Sequence, residues 1–241
     1  TILSSILFLL LPAYGQFKVE TRDQGALLRI LGRDSADQLG LGLHLVSRGA
    51  IPDQPTDLLI GSPQAYNQKR DRRMGRVDIL DVATLPTVGL IDLKETSYVP
   101  RLTIFGITES SRLGQQIVSG DFDGDLIKDI AIGAPGTKVN DKNNAGMVFI
   151  FLGGQPLKNS SNDLWSFQGT ITSASAQVAI VGEEKDAQMG FRLAVGNFDA
   201  DGYDDLVVSA PGAGLGGPAR RGRVYVIQGR PDWNPFSIIS L

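Results

Sequence analysis

The sequence predicts an all-β fold of repeated four-stranded blades, and three observations carry that prediction. An acidic loop occurs twice between the same apolar flanks, a degenerate copy precedes it at a similar interval, and the apolar runs have period two without helical periodicity. The first loop is Asp121-Phe122-Asp123-Gly124-Asp125-Leu126-Ile127-Lys128-Asp129, preceded by Leu113-Gly114 and followed by Ile130-Ala131-Ile132-Gly133-Ala134-Pro135. The second is Asn197-Phe198-Asp199-Ala200-Asp201-Gly202-Tyr203-Asp204-Asp205, between Met189-Gly190 and Leu206-Val207-Val208-Ser209-Ala210-Pro211. The degenerate copy has Leu41-Gly42, then Gly49, Ile51, Asp53 and Asp57 at the corresponding positions, then Leu58-Leu59-Ile60-Gly61-Ser62-Pro63. Asp57 to Asp129 spans 72 residues and Asp129 to Asp205 spans 76, so each copy is one supersecondary unit.

Each Pro is followed by a polar loop and another period-two run: Gly75 to Val82, Gly146 to Leu152, and Gly222 to Ile227. A fourth run ends in Ile104-Phe105-Gly106 and in Ile180-Val181-Gly182. Four strands joined by short turns make a blade, and repeated blades make a β-propeller. Three blades fall short of the roughly four to eight that close a ring, so the chain reads as part of a larger propeller. Ala26 to Gly32 looks like the fourth strand of a unit with no three strands before it, and is expected to close the ring by pairing in the last blade. The divisions are a signal peptide at 1–16 with its start missing, the ring-closing strand at 17–37, and units at 38–108, 109–184 and 185–241, the last truncated. The leader is read from the apolar run Ile2 to Leu11, too short to span a bilayer, and the small residues after it; a buried first strand is the competing reading.

The acidic loops have the order of a calcium site. Oxygen ligands at positions 1, 3 and 5 wrap a hard cation, with a backbone carbonyl from position 7 and a carboxylate from position 9. The first loop supplies Asp121, Asp123, Asp125, the Ile127 carbonyl and Asp129; the second supplies Asn197, Asp199, Asp201, the Tyr203 carbonyl and Asp205. Two calcium ions are therefore expected, and none in the degenerate copy, which keeps two of four side-chain ligands. An EF-hand would need Glu at position 12 and a helix on each side, but that position is Ile132 or Val208 in a β-branched run.

Composition narrows the function further. A net charge of −3 gives no general attraction for nucleic acid, and the absence of cysteine excludes disulfides and thiolate metal sites. Gly212, Gly214 and Gly217 spell a GxGxxG, but a strand beginning at Arg223 follows where a dinucleotide site needs a helix. His44, the only histidine, sits in an apolar strand segment and is expected to be a packed or edge residue. No catalytic residues are assigned, and the chain is expected not to be an enzyme. Lys69 to Arg73 reads as a solvated basic loop, with an anionic ligand such as a glycosaminoglycan as the sharper reading. Trp165 and Trp233 are expected to pack between blades, and Asn159-Ser160-Ser161 is a glycosylation sequon.

The order Leu/Met-Gly, acidic loop, Gly/Ser-Ala-Pro resembles the FG-GAP repeat of integrin α-subunit propellers, also found in glycosylphosphatidylinositol-specific phospholipase D, and the resemblance runs from Gln38 to Gly229. It implies a seven-bladed ring with calcium on the loop ligands just named. It further implies an extracellular or cell-surface setting, cell adhesion through a protein ligand or an integrin-β-like partner subunit, and membrane association only through missing C-terminal regions. The alternative it implies is an accessory propeller of a secreted hydrolase resembling the phospholipase.

Overall fold

A computed structural model describes residues 6–10, 16–21, 26–48, 56–68, 72–95, 98–214, 221–233 and 237–240, with side chains described from residue 28 onward. Gly49, Ile51, Asp53, Gly217 and the Lys69 to Asp71 part of the basic loop lie outside the described residues. The chain begins with β1 (Ile6–Leu10), β2 (Gln16–Thr21) and β3 (Ala26–Leu31). The first unit contributes β4 (Gly42–Ser47), β5 (Thr56–Ser62), the short pair β6 (Tyr66–Asn67) and β7 (Arg72–Arg73), β8 (Arg76–Asp81), β9 (Gly89–Asp92) and β10 (Leu102–Phe105). The second contributes β11 (Ile117–Gly120), β12 (Asp129–Ala134), β13 (Met147–Phe151), β14 (Gly169–Thr172) and β15 (Val178–Val181). The third contributes β16 (Leu193–Gly196), β17 (Asp205–Ala210), β18 (Arg223–Ile227) and β19 (Ser237–Ser240). The only helical elements among the described residues are single 3-10 turns at Val82–Thr84 and Ser173–Ser175.

Each unit forms an antiparallel blade: β4-β5-β8-β10 in the first, β11-β12-β13-β15 in the second and β16-β17-β18 in the third. A fifth strand then joins from the next unit. β14 runs parallel to β10, with Leu102 opposite Gly169, and β19 runs parallel to β15. β9 does the same to β3, completing a sheet β1-β2-β3-β9. The link between the third and fourth strands of each of the first two units thus reaches back to hydrogen-bond the outer strand of the preceding blade, protecting an edge that would otherwise be open. Ala26–Leu31 is therefore not isolated: β1 and β2 precede it, and its neighbours are β2 and β9 rather than strands of the last unit. The segment read as a signal peptide contributes β1 and the first residue of β2 here, because Ile6–Leu10 registers with Phe17–Thr21.

Among the described residues three apolar cores lie between successive sheets. Leu28, Ile30, Leu58, Ile60 and Leu80 join the first two sheets; Leu59, Ile79, Ile104, Ile130, Ile132 and Phe149 join the second and third; Val118, Ala131, Val148, Leu206 and Val208 join the third and fourth. The central β5 and β12 are buried along almost their whole length because both faces meet a sheet, so their sequences are continuous apolar runs. Trp233 is buried in the last core and Trp165 packs partly buried against the middle one, as expected of residues between blades. His44 joins two blades through Nε2, 2.7 Å from Ser119 Oγ. Among the described residues no helix is long and apolar enough to cross a membrane.

The Leu/Met-Gly elements are hydrogen-bonded to their own blades and lie against the strand glycine of the preceding unit. Gly114 and Gly190 take positive φ and donate their N–H to the carbonyls of Gly133 and Ser209, at the end of the second strand of their own blade. In the first unit Gly40 makes that bond, to Gly61 at 2.7 Å, with φ +90°, and Leu39 is the buried apolar partner. The sequence places this element at Leu41-Gly42, but Leu41 is 49% exposed, so the element shifts by two residues. The stretch from Gly40 to Asp57 is thereby two residues longer than that from Gly114 to Asp129 or from Gly190 to Asp205.

Candidate metal centre

The loop 121–129 connects β11 to β12 as a series of Asp-closed turns. Asp121 accepts the N–H groups of Gly124 (2.7 Å) and Leu126 (3.0 Å), Asp123 that of Asp125 (3.3 Å), and Asp125 that of Ile127 (2.8 Å). Asp129, fully buried at the start of β12, accepts from Phe122 and Gly153, both at 2.7 Å. The result gathers oxygens of Asp121, Asp123 and Asp129 within 4.8 Å of one another, whereas Asp125 stands outside this group. Burial, with the neighbouring Asp125 charge, raises the Asp123 carboxyl to about 6; burial, with the Asp123 charge, raises Asp129 to about 8. Among the described residues no arginine or lysine pairs with the three.

This arrangement fits a hard divalent cation. Ionised carboxylates are acceptor-only, and backbone N–H groups take one lone pair from an oxygen that can still offer another. Three such oxygens facing one another repel when ionised, and a cation among them relieves that repulsion; burial first, and neighbouring carboxylates second, raise Asp123 and Asp129.

The second loop repeats the turns but not the convergence. Asp199 accepts from Asp201 N–H (3.3 Å), Asp201 from Tyr203 N–H (2.9 Å), and Asp205 from Phe198 (2.7 Å) and Gly229 (2.9 Å). Its three carboxylates form no cluster of the kind seen in the first loop, and Asp199 Oδ2 receives the Gln228 side-chain amide at 2.7 Å. The fourth potential ligand, Asn197, is exposed at the loop's first position.

Left-handed residues set the path of both loops. Position 4 is Gly124 (φ +79°) or Ala200 (+61°), and position 6 is Leu126 (+66°) or Gly202 (+100°). A Cβ on Gly124 would lie 2.3 Å from the Tyr203 ring, so Gly124→Ala is expected to displace the second loop and lower the melting temperature. Leu126→Gly should instead raise stability by about 0.5–1 kcal/mol, since a 67% exposed leucine gives up little packing when its strained backbone is relieved. Thermal denaturation of the two variants checks both signs.

The first loop is also the joint between units. Lys128 N–H donates to Arg48 C=O of the first unit, and Asp204 N–H donates to Asp121 C=O from the third, so position 8 of each loop grips the loop before it. Asp204 Oδ2 returns two contacts, to Asp121 N–H at 2.8 Å and Lys128 Nζ at 3.2 Å. Both indoles close on this loop, Trp165 Nε1 on Lys128 C=O at 2.7 Å and Trp233 Nε1 on Phe122 C=O at 3.0 Å. These clamps, and the amide of Gly153, are not apparent from ligand spacing because they come from parts of the chain far from the loop.

In the degenerate unit guanidinium groups stand against Asp57, the last ligand position. Asp57, fully buried and equivalent to Asp129 and Asp205, receives Arg48 Nε at 2.7 Å and Nη2 at 2.8 Å, and Arg101 Nη2 at 3.2 Å. Arg101 also donates Nη1 to the carbonyls of Leu164, Trp165 and Phe167, tying the first unit to the second.

Comparison with known proteins agrees with this division. Residues 113–151 and 189–227 match the family model for the FG-GAP repeat, and the degenerate unit lies outside both matches. The chain is 29% identical over 203 residues to a phosphatidylinositol-glycan-specific phospholipase D of Rattus norvegicus, covering 83% of this chain and 22% of that protein. It is 26% identical over 200 residues to integrin alpha-PS2 of Drosophila melanogaster, covering 81% of this chain and 12% of the relative. Against integrin alpha-IIb of Homo sapiens it is 27% identical over 151 residues, 61% of this chain and 13% of that protein. The chain thus spans about a fifth of the phospholipase relatives and about an eighth of the integrin subunits.

Proposed function

We propose, on the premise that residues 113–151 and 189–227 are FG-GAP repeats, that this chain is a non-enzymatic, calcium-braced propeller module of an extracellular or cell-surface protein. Its role is recognition of a protein ligand or partner subunit in cell adhesion. The observation that carries the calcium reading is the convergence of Asp121, Asp123 and Asp129 at the joint between three units. Calcium bound there would neutralise the three carboxylates and hold the loop that Asp204, Trp165 and Trp233 grip, so binding energy would become stability of the blade stack. The second loop, with Asn197, Asp199, Asp201 and Asp205, is the weaker site, since Gln228 occupies an oxygen of Asp199.

The decisive experiment compares melting temperatures in calcium and in chelator. In chelator at pH 7.5, Asp123→Ala is expected to melt at or above the parent, because it removes a charge that burial disfavours; in calcium it should melt several degrees lower. An identical response of parent and variant to calcium would refute the site.

The pH dependence has a definite sign. The folded values of Asp123 and Asp129, about 6 and about 8, lie above the ordinary aspartate value of 3.8, so ionisation costs the metal-free fold. Their contribution is fully present below pH 3.8 and is lost as pH rises through 6 and 8. Calcium must displace those protons, so affinity measured by calorimetry is expected to fall from pH 8 to pH 5.5 with proton release on binding.

A second reading, an accessory propeller of a secreted hydrolase, is favoured by the phospholipase match over 83% of this chain. Hydrolysis of a glycosylphosphatidylinositol anchor by the full-length protein would select it. Inactivity of that protein, with calcium-dependent binding to cells, would select adhesion.

A further inference from the structure

A cavity of about 480 Å³ lies at the seam between the first two sheets, at the end of the blades opposite the acidic loops. One wall is a row across three strands, where Arg76 on β8, Phe105 on β10 and Thr172 on β14 are register partners. The other is the paired end of β3 and β9, from which Arg33 and Lys94 extend, with Leu93 N–H bonded to Leu31 C=O. Tyr66 from the short β6-β7 pair borders the mouth. The charges are unevenly satisfied. Arg76, 1% exposed, is matched by Asp78 at 2.7 Å and Asp37 at 3.1 Å. Arg33 reaches Asp78 only with Nη2, at 3.3 Å, and its Nε is buried without an acceptor. Arg33 keeps 32% of its side chain exposed, and with the exposed Lys94 its guanidinium presents positive charge to the cavity.

We propose that this seam binds a sugar acid. Its carboxylate lies on the exposed edge of the Arg33 guanidinium and the Lys94 ammonium, its ring on Phe105 and Tyr66, and its hydroxyls on Asp34, Thr170 and Thr172. The mixture of cation, carboxylate and hydroxyl beside two aromatic rings is what separates this ligand from a bare anion, which would use only the cations. The test is calorimetric titration of the full-length protein with glucuronate, with glucose, acetate and inorganic phosphate as comparisons. Glucuronate should bind saturably, with glucose and acetate at least about tenfold weaker, and Lys94→Gln and Phe105→Leu should each weaken it about tenfold or more. Arg33→Gln should abolish it; should that variant fail to fold, the exposed Lys94 keeps the test decisive. No glucuronate binding, binding unchanged in Lys94→Gln, or acetate or phosphate binding as tightly as glucuronate would each overturn the proposal.

Discussion

Asp57→Ala is expected to cost about 3–5 kcal/mol of folding stability, equally in calcium and in chelator. The aspartate has no exposed surface, and three guanidinium nitrogens lie within 3.2 Å of its two oxygens. Removing it leaves Arg48 and Arg101 without their buried counter-charge, and Arg101 is held in place by three backbone carbonyls of the next unit. The equivalent acids, Asp129 and Asp205, are met by two backbone amides each. The first unit therefore solves with a built-in cation the problem that we assign to calcium in the second. Exchanging both members, as Arg48→Met with Asp57→Leu, should recover part of the loss, since a buried pair replaced by apolar side chains of similar volume is often close to neutral. Urea unfolding in calcium and in chelator measures both effects. A loss below about 1 kcal/mol, or one that appears only with calcium present, would remove the equivalence.

The blades were legible because their strands carry simple periodicity and the acids recur at fixed offsets, so β5, β12 and β17 and the residues Asp121, Asp123 and Asp129 follow from sequence. Three features were not, each for a physical reason. The first unit contains Leu39-Gly40 directly before Leu41-Gly42, and only burial and the bond to Gly61 select the former. The fifth strands β9, β14 and β19 are four residues long, offer Ile91, Ile171 and Ile239 as their main inward apolar groups, and pair through backbone with the preceding unit. Neither short length nor a backbone-driven, non-local pairing leaves a side-chain pattern to read. Arg48 and Arg101 are ordinary loop cations in the sequence, and only the fold brings them to Asp57. That Asp125 stands outside the carboxylate group is likewise set by the path of the loop and not by its composition, since its side chain closes a turn on Ile127 N–H while the other three converge.

Gly133→Ala is expected to be comparably damaging, by about 3 kcal/mol, although it adds one methyl group to a residue in regular strand conformation. A Cβ there would lie 2.1 Å from the carbonyl oxygen of Gly190. Gly61 stands in the same relation to Gly114, at 2.0 Å. The glycine before Ala-Pro in one unit and the glycine after Leu/Met in the next are thus two sides of one contact, which explains why the motif keeps both. Backbone cannot retreat as a flexible side chain can, because Gly190 is fixed by its own bond to Ser209 and Met189 bridges to Gly146. The methyl group must therefore push the third sheet away from the fourth, opening the core of Val148, Leu206 and Val208. Ser209, at the same position of the third unit, already carries a side chain, whose Oγ accepts Arg192 N–H at 2.9 Å. Ser209→Ala should then cost only about 1 kcal/mol, one hydrogen bond. Thermal denaturation with limited proteolysis between the units tests the contrast: early cleavage near residues 182–192 in Gly133→Ala and parental resistance in Ser209→Ala are expected, and equal behaviour of the two variants would show that the close contact does not hold the units together.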